Sequence, residues 1–250
     1  MEWRDEGALL SVRLHGESAA IIEVFTAAHG RHLGMVRGGG SRRMAGILQP
    51  GAQLALHWQA RLDDHLGSFK AEPMQARATL LGDRGALAAL NAICALLHQA
   101  LPERDPHPDL YGQTVALLDL LEHGRDWQVP YLLWEVSLLE EMGYALDLSA
   151  CAVTGVTQDL AYISPRTGRA VSRAAAGDWA ARLLPLPRVL TLQDGTEAEV
   201  AMALTVTGHF LTRALPAPPH QTTPLPEARS RLLEHFSRYK SASNPNSVAD

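Results

Sequence analysis

Arg31, Arg37, Arg42 and Arg43 fall within thirteen residues that contain no Asp or Glu, in a stretch interrupted by Gly34 and by Gly38-Gly39-Gly40. A guanidinium keeps its charge at every physiological pH and offers a planar fork of donors that matches phosphate oxygens. Glycines let backbone N–H groups approach an irregular chain of anions. The chemistry open to this pattern is to hold a polyanion, with affinity drawn from charge and no reading of base sequence. A loop of Gly and Arg also serves plain solubility, and the spacing alone leaves both readings open.

Other chemistries lack their residues. Lys70 and Lys240 are the only lysines and neither stands in a glycine-rich setting, so no P-loop is present. The glycines between 34 and 40 do not form a dinucleotide fingerprint, and no Gly-x-Ser-x-Gly elbow occurs. His29 and His32 have no nearby carboxylate or thiol to complete a metal's ligand set. Asp63 and Asp64 are adjacent, and adjacent residues of a strand point to opposite faces. The expectation is a protein with no catalytic residue, no metal and no cofactor.

The elements that must position the arginines follow from periodicity. Gly7–Leu14, Ala19–Thr26 and His32–Arg37 read as strands separated by Gly-containing turns, and Leu54–Trp58 and Leu66–Phe69 add two more. Five short strands in about seventy-five residues suit a small barrel of the OB type, with an SH3-like barrel as the alternative. Trp58 and Phe69 on these strands read either as base-stacking platforms or as barrel core. Past Arg77 the apolar period becomes helical, with helices expected over Asp83–Ala100, from Pro108 to Glu122, and from Val129 to Met142, where Gly143 is placed to stop the third. A strand-like Leu160–Ile163 points to a hairpin set into this helical region around 150–174. Helices resume at Ala174–Leu184 and Glu197–Leu215, then a proline-rich connection leads to a short helix over Glu227–Tyr239. The expected organisation is α+β: a five-stranded OB barrel over 1–77, a helical domain over 78–240 with its hairpin insertion, and a disordered tail over 241–250.

Composition sets the outer limits. With 250 residues, 46% of them apolar, the chain can bury a substantial core. The net charge of −5 hides an asymmetry, because residues 1–77 carry nine Lys or Arg against eight Asp or Glu while the remainder carries thirteen against nineteen. A basic loop on a nearly neutral barrel can attract a phosphate backbone despite an acidic remainder. Cys94 and Cys151 are too few for a disulfide framework and are expected as free thiols. No apolar run is long enough to span a bilayer, and the acidic start Met1-Glu2-Trp3-Arg4-Asp5-Glu6 is unlike a signal peptide. A cytoplasmic, nucleoid-associated protein with no membrane partner is expected.

In order along the chain, Phe25-Thr26, Gly30-Arg31, Met35-Val36-Arg37-Gly38, Leu48-Gln49-Pro50-Gly51, Glu140-Glu141-Met142-Gly143-Tyr144, Cys151-Ala152-Val153-Thr154-Gly155, Tyr162-Ile163-Ser164 and Leu225-Pro226-Glu227-Ala228-Arg229 resemble the RecO family of bacterial recombination mediators. The resemblance implies an OB fold and a helical domain, with binding of single- and double-stranded DNA and annealing of complementary strands. It further implies cooperation with RecR to load RecA onto DNA coated with single-strand-binding protein. That protein's acidic C-terminal tail would meet the helical domain near Trp134, Leu138, Arg166 and Arg213, although Trp134 also reads as core. Many relatives carry four zinc-binding cysteines flanking the hairpin. The matching positions here are Cys151, Thr154, Val171 and Ala174, and one thiol cannot supply tetrahedral coordination, so packing of Val153, Leu160, Tyr162 and Val171 is expected to hold the hairpin. The DNA contacts expected are Arg31, Arg37, Arg42 and Arg43. The rival reading is a protein-interaction adaptor with incidental DNA binding, and a nuclease is a distant third.

Overall fold

The computed structural model describes residues 1–62, 64–124, 126–217 and 222–242, with side chains through Phe236. The chain divides into two compact units, Met1–Arg125 and Asp126–Asp250. In the first, strands β1 (Glu2–His15), β2 (Ala19–Thr26) and β3 (Gly30–Val36) precede a short helix α1 (Arg42–Ile47), followed by β4 (Gln53–Gln59) and β5 (Ser68–Gln75). β1 begins earlier than the apolar pattern suggested, because its first residues alternate between exposed and half-buried along a pairing with β4. It pairs with β4 from Glu2 opposite Gln59 to Ala8 opposite Gln53, and with β2 from Gly7 opposite Thr26 to His15 opposite Ala19. One strand serving two partners must bend, and the register shifts between Leu9 and Ser11. β3 runs parallel to β5, with Met35 opposite Ser68 and Val36 opposite Phe69, which closes a barrel of order β1-β2-β3-β5-β4. This closed five-stranded barrel is the OB arrangement.

The barrel core contains Leu9, Ile22, Val24, Val36, Leu54, Leu56, Trp58 and Phe69. Trp58 is fully buried and its indole N–H donates to the Leu66 carbonyl at 3.1 Å. Trp58 and Phe69 are therefore core side chains, with no face left for a base.

The strands end near residue 77, while the first compact unit runs on through a 3₁₀ turn (Ala78–Gly82), α2 (Arg84–Ala100) and α3 (Pro108–His123). Asp83 starts α2 by accepting from the N–H groups of Gly85 and Ala86 at 2.8 and 3.0 Å. Buried polar contacts tie this helical pair to the barrel. The Gln53 amide donates to the Tyr111 hydroxyl at 2.7 Å, and buried Arg77 bridges Asp119 and the Gly51 carbonyl, each at 2.6 Å.

The second unit contains α4 (Gln128–Glu141), β6 (Leu160–Ile163), β7 (Ala170–Ser172), α5 (Arg173–Ala176), a 3₁₀ turn (Gly177–Arg182), β8 (Leu184–Pro185), α6 (Val189–Leu192), α7 (Glu197–Ala214) and α8 (Glu227–Ala242). The expected hairpin is β6 with β7, but it belongs to a three-stranded sheet of order β7-β6-β8. A helix expected over Ala174–Leu184 is instead one α turn, one 3₁₀ turn and the start of β8. Gly177 ends α5 with a φ of 46°, and Pro185 and Pro187 cannot continue a helix. α8 continues past Tyr239 to Ala242, taking in the first two residues of the expected tail. Residues 243–250 of that tail and 218–221 of the proline-rich connection lie outside the described residues. Among the described residues, no helix is long and apolar enough to cross a membrane.

A buried ionic network clasps α4, α7 and α8. Glu135 is fully buried and takes both its carboxylate oxygens to Arg229, which donates from Nε and Nη2 at 2.8 Å each. The Tyr131 hydroxyl donates to the same carboxylate at 2.8 Å and Thr207 does so at 2.5 Å, while Arg229 also donates to the Leu204 carbonyl at 2.6 Å. Burial, and then the Glu135 charge, push the Tyr131 phenol well above its usual range, keeping it a donor. Gly208 leaves room for the guanidinium, since a Cβ there would stand 2.9 Å from Nη1. Removing one partner strands a buried charge. Arg229→Ala should therefore cost the second unit about 3–5 kcal/mol in urea unfolding. Arg231→Ala, which breaks an exposed pair with Glu227 on the same helix, should cost less than about 1 kcal/mol.

Candidate nucleic-acid interface

β3 ends at Val36 and the chain turns through Arg37-Gly38-Gly39-Gly40 into α1. Gly38 holds a φ of 71°, a left-handed conformation that favours glycine. The turn is pinned by backbone bonds, Gly39 N–H to Val36 at 3.2 Å, Gly40 N–H to Ser18 at 3.0 Å and Ser41 N–H to Gly38 at 3.0 Å. Gly39 is buried. The glycines therefore build a fixed turn against the β1–β2 connection. Ser41 caps α1 by accepting from the Met44 N–H at 3.3 Å, so Arg42 and Arg43 occupy the helix's first turn. α1 was not expected from the sequence. Cations in a first turn run against the helix dipole, and no acid stands there to offset them. Arg37, Arg42 and Arg43 are all exposed.

Arg31 is different and corrects the expectation that four arginines share one role. It is buried, its guanidinium forms an ion pair with buried Glu23, and its Nε–H donates to the Leu101 carbonyl at 3.0 Å. Glu23 also meets His98 Nδ1 at 2.9 Å and accepts from the Ser11 hydroxyl at 3.2 Å. The charge of Arg31 is neutralised inside the fold, which removes it from any phosphate-binding surface. Three of the four arginines stand on the rim formed by the β3–α1 turn and the start of α1.

Strand register adds a residue that spacing missed. Arg13 of β1 lies opposite Ile21, and Ile21 lies opposite Met35, two residues before Arg37. With a side-chain period of two, exposed Arg13 shares the outward face of Met35 near the end of β3, next to the turn that carries Arg37. The alternation Ser11, Arg13, His15 on β1 carried this signal, but only a known register connects it to β3.

In the second unit, Trp134 and Leu138 lie in the helical core at 2% and 0% exposure. Burial corrects their expected role as direct partner contacts. Arg166 and Arg213 are exposed and adjacent, because the Arg213 guanidinium donates to the carbonyls of Pro165 and Arg166. The four positions matched to a zinc site do not fit one. Cys151 is followed by the Thr154 hydroxyl, and Val171 packs in the same buried cluster as Cys151, with Ala174 adding only a methyl group. The Cys151 thiol is drawn down to about 6, first by its hydrogen bond with Ser172 and then by that with Thr154. The Ser172 N–H reaches Sγ at 3.3 Å, so backbone and side-chain donors serve this sulfur. Cys94, by contrast, is pushed up to about 12 by burial.

A closed five-stranded barrel with a cationic rim, followed by a helical unit holding a small sheet, places the chain among OB-fold proteins, a class whose barrels bind oligonucleotides or oligosaccharides. Comparison with known proteins gives the family. The "Recombination protein O N terminal" family model matches residues 1–77, and "Recombination protein O C terminal" matches residues 81–223. Proteins named DNA repair protein RecO are 63% identical in Cereibacter sphaeroides, 60% in Ruegeria sp. and 61% in Roseobacter denitrificans, each over 95% of this chain and 99% of the relative. The chain belongs to the RecO family of DNA repair and recombination proteins.

The division of labour among the arginines is measurable as stability. Arg31→Ala should destabilise the first unit by about 3 kcal/mol, because Glu23 loses its buried counter-charge. Arg42→Ala should change it by less than about 0.5 kcal/mol, and equal losses in denaturant titrations would contradict the assignment.

Proposed function

We propose that this chain is a non-catalytic recombination mediator whose barrel rim grips single- and double-stranded DNA without reading sequence. The observation that carries this reading is the set of three exposed arginines, Arg37, Arg42 and Arg43, in a stretch of sequence without Asp or Glu, on a turn held by backbone bonds. Exposed Arg13 on β1 adds a cation next to this turn. Each guanidinium that neutralises a phosphate releases condensed counterions and lowers the repulsion between two strands. Two complementary strands held this way anneal without ATP. In line with what the family resemblance implies, the chain cooperates with RecR in loading RecA onto DNA coated with single-strand-binding protein. Exposed Arg166 and Arg213 offer the charge that protein's acidic C-terminal tail requires. Such a mediator works in the cytoplasm, on the nucleoid.

The test is the salt dependence of binding to a labelled single strand. Three phosphate contacts contribute about 0.7 × 3, or roughly 2.1, to the slope of log K against log salt. The triple variant Arg37→Ala, Arg42→Ala, Arg43→Ala should show a slope shallower by about 2 and should lose annealing of strands coated with single-strand-binding protein. An unchanged slope and affinity would take DNA binding away from this rim.

A further inference from the structure

The barrel rim supplies charge but no aromatic surface. Trp58 is sealed in the core, and Trp3 is half-buried with His29 stacked at 4.1 Å and Trp58 at 5.8 Å. In the second unit Trp127 and Trp134 are 4% and 2% exposed. Trp179 alone among the five tryptophans stands in solvent, at 63% exposure, on the 3₁₀ turn Gly177–Arg182. The Arg182 guanidinium lies over its ring, 5.0 Å from the centroid. Tryptophan is highly buried on average, and this one is left in solvent with a guanidinium over its ring.

Its surroundings are basic although the unit as a whole is acidic. Between Ile163 and Leu192 stand Arg166, Arg169, Arg173, Arg182 and Arg188 against one acid, Asp178. Arg169 and Arg173 are paired with Asp147 and Asp159 at 3.2 and 3.5 Å, while Arg166, Arg182 and Arg188 are exposed and belong to no ion pair among the described residues. Ile163 lies opposite Leu184 in the antiparallel β6–β8 pair. That register brings the chain entering β8, which carries Arg182, to the end of β6 from which Arg166 follows. A flat aromatic face and a guanidinium within one turn match the repeat unit of a single strand, one base to stack and one phosphate to pair. An acidic-apolar peptide would satisfy the charge, but its apolar side chain needs a pocket, and Trp179 on its single turn offers a face.

We propose that Trp179 and Arg182 form a second nucleic-acid contact, a stacking site for an unpaired base with its phosphate on Arg182. The site rests on the DNA-binding reading of this chain and lies in the other unit from the barrel rim. It selects single strands, because the bases of a duplex are already stacked on one another.

The experiment titrates the full chain with oligothymidylate, following oligonucleotide anisotropy and tryptophan emission together. Stacking should quench the solvent-exposed emission, and Trp179→Phe should abolish the quenching while holding affinity within a few-fold. Trp179→Ala should weaken single-strand binding roughly 5- to 150-fold, as loss of one stacked base does elsewhere, and leave duplex binding unchanged. Arg182→Ala should flatten the single-strand salt slope by about 0.7. Binding without quenching, with Trp179→Ala at wild-type affinity, would overturn this site and leave the barrel rim standing. Quenching by an acidic peptide ending in apolar residues, and not by oligothymidylate, would overturn it in favour of a protein partner. No anisotropy change at all would overturn both the site and the DNA-binding reading beneath it.

Discussion

The first unit depends on a buried charge pair, Glu23 with Arg31. Two ions removed from water are stable only when they face each other and their remaining hydrogen-bonding capacity is used. Here Ser11 and His98 complete the carboxylate, and the Leu101 carbonyl takes the arginine's Nε–H. β1, β2, β3 and the end of α2 thereby converge on one ionic centre. It fixes the outer face of the β2–β3 hairpin and ties the helical pair to the barrel. The same hairpin leads directly into the glycine turn, where Arg37, Arg42 and Arg43 stand.

The second unit repeats the device with other residues. Glu135 and Arg229 are buried together, with Tyr131, Thr207 and the Leu204 carbonyl closing the network across α4, α7 and α8. In each unit a buried arginine serves packing and exposed arginines remain at the edge. Abundant arginine in this chain, against two lysines, fits both tasks, since the planar fork satisfies a buried carboxylate and a phosphate by the same geometry.

Barrel, helices and family were legible in the sequence because they rest on periodicity and on the order of short motifs along the chain. The role of Arg31 was not, because counting acids between residues 31 and 43 stops short of Glu23. In the β2–β3 register Phe25 lies opposite Arg31, which makes Glu23 its diagonal neighbour on the same face. Arg13 was missed for the same reason, since contact across strands needs a register as well as a composition. Trp134 and Leu138 share the buried face of α4 with Tyr131 and Glu135, a face that the sequence pattern did not single out. α1 escaped notice because six residues after three glycines carry too little periodicity to read as a helix, and the helix expected before β8 failed at Gly177, whose φ of 46° ends α5.

The central claim is that DNA lies against the β3–α1 turn while Arg31 stays inside the fold. Amide hydrogen exchange with and without a single-stranded oligonucleotide tests it most directly. The account predicts slowed exchange on binding across residues 37–44, with the amides of Glu23 and Arg31 already protected in the free protein and unchanged by DNA. Unaltered exchange in 37–44 under saturating oligonucleotide, or DNA-dependent protection at Arg31, would contradict it.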